Sequence, residues 1–272
     1  MTDEAPDPRA HFGLTTLPFT REIAISDRWR SPVFEEPLSD LLTTIQHRMS
    51  AVVLAPSGAG KTVLLRALVD ALPEARYRVH EVKVTCLSKR EMYREIATAA
   101  SVSPAGTFST LVRRLQDRFR RLADDEGLRP VLLVDEAQDM RPEVLSTLRV
   151  LTNFDLDSRL VLSVVLAGTS QLGELLKRPD LEPVSRRMAH CATLRLLSRA
   201  ETKDYVDHRL TVAGARTSPF DDQALDALYE VSRGNLRAVD HLCRKALDLA
   251  ARKGAPAVDP ALVVAARKSL LP

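Results

Sequence analysis

At 272 residues, with 45% hydrophobic and 28% charged residues, the chain is long enough for one large globular domain and a smaller one. Its formal net charge of +3 permits nucleic-acid contact without requiring it, and an aromatic content of 4% argues against a base-stacking platform for single strands. Three cysteines far apart, Cys86, Cys191 and Cys243, argue against a disulfide framework or a Cys/His metal site and fit a reducing cytoplasm.

In chain order, residues 1–50 read as an irregular N-terminal segment, acidic and proline-bearing rather than signal-like at its start, then a helix over Leu38–Met49. Strands are expected near 51–55, 78–84, 130–135, 159–167 and 191–196, with helices near 61–72, 89–100, 107–124, 142–152 and 171–178 between them. That alternation predicts an α/β fold, a parallel sheet with helices on both faces. From residue 198 the pattern is helical only, over 199–213, 221–232, 235–252 and 259–270, with Asp221 and Asp259 as N-caps and Gly214, Gly234 and Gly254 as stops. The expected organisation is therefore an N-terminal segment and helix (1–50), a phosphate-binding core (51–197) and a helical lid (198–272). No apolar run approaches the ~18 residues of a membrane span, and repeats and low-complexity tracts are absent.

Two segments carry chemistry. Ala55-Pro56-Ser57-Gly58-Ala59-Gly60-Lys61-Thr62 follows an apolar strand and opens an amphipathic helix. A ring of backbone N–H groups from Ser57 to Gly60, a helix N-terminus and a lysine are what a polyphosphate requires. Lys61 would reach the β- and γ-phosphates of ATP, and Thr62 would hold Mg²⁺. The first glycine of the usual pattern is Ala55, at the strand end, where positive φ is not expected to be needed. The second segment, Val131-Leu132-Leu133-Val134-Asp135-Glu136-Ala137-Gln138, reads as a buried strand ending in two acids. Asp135 would bind Mg²⁺, and Glu136 would polarise the attacking water as general base. A glycine-rich turn and a solvated acidic turn would look the same singly; their occurrence together favours an ATP site.

The phosphate loop, the Asp-Glu strand and the helical lid together resemble the AAA+ ATPases. Within them, His11-Phe12-Gly13-Leu14-Thr15-Thr16-Leu17-Pro18-Phe19, Asp135-Glu136-Ala137-Gln138, Leu166-Ala167-Gly168-Thr169 and Ser232-Arg233-Gly234-Asn235-Leu236-Arg237 are similar to motifs of the ExeA-like group. The resemblance implies a five-stranded, three-layer P-loop domain with a helical lid. Some members of that group are longer secretion-associated ATPases with a membrane segment and a cell-wall-binding part. Others are short soluble proteins encoded with transposases, similar to the target-selection ATPases TniB, TnsC and MuB. The chain has the length of the second kind and shows neither secretion attachment. By the same resemblance Thr169, with Ser170 as runner-up, would sense the γ-phosphate. Arg187, or Arg186, would reach a neighbouring subunit's ATP, and Arg237 would contact ATP in its own subunit.

Transposition ATPases of this type assemble as rings or helical filaments around duplex DNA, lined by the segment after the second strand. Here that segment offers Lys83, Thr85, Ser88, Lys89 and Arg90, which can meet phosphates without reading bases. Ser88 with Glu91 is also a capping box. The helix over 107–124 sets Arg113, Arg114, Arg118, Arg120 and Arg121 opposite an apolar face, a second candidate for nucleic acid or for subunit contact. The six histidines have no catalytic or metal spacing, and Trp29 is assigned no role. The expectation is a cytoplasmic, Mg²⁺-dependent ATPase that oligomerises on duplex DNA and serves a transposase. The alternative is an ATP-gated scaffold or secretion-associated ATPase that does not bind DNA. An initiator-like DNA loader would need a winged-helix domain, for which residues 198–272 leave no room.

Overall fold

The computed structural model describes residues 7–83, 87–155 and 157–268, and these divide into two compact units. The larger comprises residues 32–57 and 61–194; the smaller comprises the described residues up to Ser31, Gly58–Gly60 and those from Arg195 onward. Among the described residues no helix is long and apolar enough to cross a membrane.

The larger unit is built on one parallel sheet of β1 (Ser50–Leu54), β2 (Tyr77–Lys83), β3 (Arg129–Asp135), β4 (Ser163–Gly168) and β5 (Met188–Thr193), in the order β2-β3-β4-β1-β5. The three inner strands are almost continuously buried, whereas edge strands β2 and β5 alternate. An inner parallel strand is covered on both faces, so it needs an unbroken apolar run. Leu132, Val134, Val164 and Leu166 face a core completed by Met92, Tyr93 and Ile96 of α4 (Lys89–Ala99) and Leu111, Leu115, Phe119 and Leu122 of α5 (Phe108–Asp124). The opposite layer is α2 (Pro32–Gln46) and α3 (Lys61–Asp70), packed together, with α2 against β1 and β5. Four short helices complete the unit: α6 (Pro142–Leu145), α7 (Leu148–Leu151), α8 (Ser170–Leu176) and α9 (Glu182–Ser185).

Local differences from the sequence expectation have physical causes. Helix α2 starts at Pro32 rather than Leu38, because Pro32 suits a first helical position and Val33 and Phe34 are buried. It ends at Gln46 because Arg48 turns left-handed, φ 59°. The stretch 142–152 is two short helices rather than one. Strand β4 starts at Ser163 because Leu160 is exposed and Arg159 is drawn into an ion pair with Asp124.

The smaller unit is helical: α1 (Pro8–Phe12), α10 (Arg199–Val212), α11 (Asp222–Ser232), α12 (Leu236–Lys253) and α13 (Pro260–Lys268). Ser198, Asp221 and Asn235 accept the third N–H of α10, α11 and α12, and Asp259 accepts from Leu262 at 2.8 Å. The N-terminal segment is tied to these helices. Thr15 N–H donates to the Ala213 carbonyl at 2.8 Å, and Phe19 stands edge-on to Phe220. Buried Arg209 donates to the Thr20 carbonyl at 2.8 Å and to the Tyr205 hydroxyl at 2.7 Å, and Tyr205 donates to Asp240 at 2.8 Å.

Candidate nucleotide-binding site

Strand order brings the C-terminal ends of β3, β4 and β1 side by side, and open parallel sheets bind ligands at that end. The loop after β1 begins while still bonded to the sheet, Ala55 N–H donating to the Gly168 carbonyl at 3.0 Å. Ala55 is not among the left-handed residues, so its Cβ brings no strain. Positive φ falls on Gly58 (79°) and Gly60 (97°). Within the smaller unit, a Cβ on Gly58 would collide with the Asn235 side-chain amide, and Arg237 N–H donates to the Gly58 carbonyl at 3.2 Å. The Arg237 side chain is exposed. Helix α3 starts at Lys61, so its first-turn N–H groups lack intrahelical acceptors, and Thr62 is exposed there.

Strand β3 delivers the acids. The buried Lys61 ammonium contacts Asp135 Oδ1 and lies 3.0 Å from Glu136 Oε1. Asp135 Oδ1 also accepts the Glu136 N–H at 2.8 Å. Glu136 adopts a left-handed backbone, φ 55° and ψ 38°, at a cost of roughly 1–3 kcal/mol for a non-glycine residue. Burial pushes its carboxyl up. Hydrogen bonds from Gln138 and Lys61, with the charges of Lys61 and Lys83, outweigh that and leave its pKa below the ordinary value.

Gln138, which motif reading left without a role, joins these groups. Its Nε2 donates to Glu136 Oε2 at 2.8 Å, and its Oε1 accepts the Thr169 N–H at 3.1 Å. Thr169 precedes α8 but does not cap it with its side chain, and its buried hydroxyl has no partner among the described residues. A buried hydroxyl without a partner costs about 1–3 kcal/mol, which an incoming phosphate oxygen would recover. Ser170, the alternative, is exposed on the first turn of α8. Orphan hydroxyl, lysine and paired acids fit a nucleotide triphosphate with a divalent cation.

Lys61, Asp135, Glu136 and Thr169 thus converge, while Arg187 lies apart. It precedes β5 and donates to both carboxylate oxygens of Asp157, at 2.7 and 2.6 Å, holding that carboxyl below its usual range. With Gln116, Arg149, Val150 and Asn153 it lines a cavity of about 310 Å³. Arg186 pairs with Glu182 at 2.5 Å.

Of the candidate DNA residues, Lys83 ends β2 beside Asp135 in register and is exposed. Ser88 and Glu91 form the reciprocal capping box, and Lys89 and Arg90 are exposed in the first turn of α4. Thr85 lies outside the described residues. On α5, Arg114 donates to the Ala105 carbonyl, Arg118 pairs with Glu126, and Arg120 pairs with Asp155 over the Phe154 ring. Three of the five arginines there are thus turned to the chain's own groups.

Comparison with known proteins agrees with this geometry. Residues 43–176 match the family described as "AAA domain". General secretion pathway protein A of Aeromonas hydrophila is 32% identical over 248 residues, 89% of this chain and 45% of that protein, so the chain spans less than half of it. The fold is similar to that of Cdc6p from Pyrobaculum aerophilum, with a TM-score of 0.73 and 18% identity over 93% of this chain and 70% of that one. It is also similar to the Aeropyrum pernix ORC1 protein in complex with DNA, with a TM-score of 0.68 and 18% identity over 90% of this chain and 66% of that one.

Proposed function

We propose that this chain, of which residues 43–176 match an AAA domain, is an ATPase whose ATP-gated assembly forms on duplex DNA and regulates transposition. The observation carrying the ATP half is the meeting of Lys61, Asp135 and Glu136, linked through Gln138 to Thr169, whose hydroxyl has no partner among the described residues. Lys61 exchanges its carboxylate partners for the β- and γ-phosphates, with Ser57, Gly58, Ala59 and Gly60 around them. Thr62 and Asp135 would hold Mg²⁺, which would neutralise phosphate charge when bound. Glu136, freed of Lys61, takes a proton from the attacking water, and Thr169 registers the γ-phosphate. Arg187 leaves Asp157 to stabilise charge in a neighbouring subunit's site, so hydrolysis is tied to assembly.

The DNA half is supported by exposed Lys83 at the end of β2 and by exposed Lys89 and Arg90 in the first turn of α4. Cations in the first turn of a helix oppose its dipole by a few tenths of a kcal/mol, so α4 gains no stability from them. Ser88 and Thr85 are the remaining members of the proposed set by their place in the sequence. Assembly on DNA then presents a target to a transposase, and hydrolysis dismantles it. A second reading, a secretion-associated switch that ignores DNA, is favoured by the 32% identity to the secretion-pathway relative.

Duplex binding by fluorescence anisotropy at two salt concentrations, with a non-hydrolysable ATP analogue, with ADP and without nucleotide, separates the two. Salt-sensitive, sequence-independent binding confined to the ATP analogue is expected. Absence of binding in every nucleotide state favours the secretion reading.

A further inference from the structure

We infer that Gln138 is a positioning residue for hydrolysis, fixing the Glu136 carboxylate and yoking it to the backbone at the end of β4. The inference rests on Glu136 being the general base. Gln138 lies on a short 3-10 turn, Ala137–Asp139, anchored by fully buried Ala137 and packed against β4 and α8. Both ends of its amide are engaged, the amino group by Glu136 Oε2 at 2.8 Å and the carbonyl by the Thr169 N–H at 3.1 Å. One side chain therefore spans from the base to the residue whose hydroxyl stands without a partner. Gly168 leaves room for this span, since a Cβ there would lie 2.6 Å from Gln138 Oε1.

The need for such a tether follows from Lys61. In the structure the two oxygens of Glu136 are held separately, Oε1 by Lys61 at 3.0 Å and Oε2 by Gln138. Once Lys61 turns to phosphate, Gln138 alone keeps the carboxylate from its other rotamers, while Oε1 is open to water. Glutamate at 138 could not donate to Glu136, and asparagine is one methylene too short to span both partners.

The test is a kinetic cycle on the full chain. Gln138→Ala is expected to lower kcat about 10- to 100-fold, the scale of loosening a reacting group. KM and affinity for a non-hydrolysable ATP analogue should stay within about threefold, since Gln138 bonds the Thr169 backbone N–H rather than its hydroxyl and makes no bond to Lys61 among the described residues. Gln138→Met, which keeps the side chain's length without its hydrogen bonds, should behave alike and covers poor folding of the alanine variant. In single-turnover hydrolysis, Gln138→Ala should cost nothing further in a Glu136→Gln background. A merely structural role would lower both backgrounds equally, and that result overturns the inference. So does an unchanged kcat in both Gln138 variants while Glu136→Gln is inactive. Turnover that survives Glu136→Gln overturns the base assignment, and this inference with it.

Discussion

Glu136 must stay ionised in a half-buried place, and the groups that keep it so also hold it still. Burial raises its pKa, and bonds from Gln138 and Lys61 more than restore it. Replacing Glu136 by Gln removes the proposed proton acceptor at nearly constant shape, so a loss of about 10²–10⁴ in kcat with nucleotide binding intact is expected from steady-state kinetics. Retained turnover would remove Glu136 from the base role. Gly58 is constrained in another way, by a φ of 79° and by Asn235 where its Cβ would go. Gly58→Ala should lower unfolding free energy by about 1–3 kcal/mol in denaturant melts, and an unchanged midpoint would show that the loop tolerates a side chain.

At the scale of elements, α10 is held by a capping box in which Glu201, its carboxyl drawn down to about 2 by Arg195 and the Ser198 N–H, closes the first turn. Glu201→Ala should cost about 1 kcal/mol at neutral pH by thermal unfolding. No loss would mean that water satisfies that turn equally well. Asp240 on α12 behaves oppositely. Burial raises its carboxyl to about 6, against the lowering pull of Arg209 and Tyr205. A carboxyl whose folded pKa exceeds its unfolded one binds its proton more tightly when folded. Its contribution is therefore complete below about 4 and declines as pH rises to about 6. The stability difference between wild type and Asp240→Asn should thus fall across that window, and a difference that grows with pH would mean that Arg209 dominates.

These elements also show what the amino-acid order makes legible. Inner strands β1, β3 and β4 stand out because burial on both faces demands unbroken apolar runs, and the caps of α11 and α13 stand out because Asp221 and Asp259 act locally. The start of β4 is less legible. Leu160, Val161 and Leu162 continue its apolar run, yet Val161 and Leu162 are buried outside the strand and Leu160 is exposed. Lys61, Thr62, Asp135 and Glu136 carry the spacing expected of a phosphate and metal site. Gln138 does not, because its second partner, Thr169, is 31 residues away and the bond runs to backbone. The Asp157 that holds Arg187 is 30 residues from it, and only the folded chain joins them.

At the scale of the whole molecule, a net charge of +3 gives little long-range pull on DNA, so binding has to come from a local cluster. Replacing Lys89 and Arg90 together by alanine should flatten the salt dependence of duplex binding by about two in logarithmic slope. An unchanged slope would place the contacts elsewhere. The central claim is an ATP site completed by a neighbouring subunit, and mixing tests it most directly. Arg187→Ala subunits keep the Lys61 site but lack the donated arginine; Lys61→Ala subunits have the reverse defect. Each alone is expected to hydrolyse ATP at no more than a few per cent of the wild-type rate, and an equimolar mixture to regain a substantial fraction of it. A mixture as inactive as its components, or an Arg187→Ala protein active by itself, would contradict a shared site.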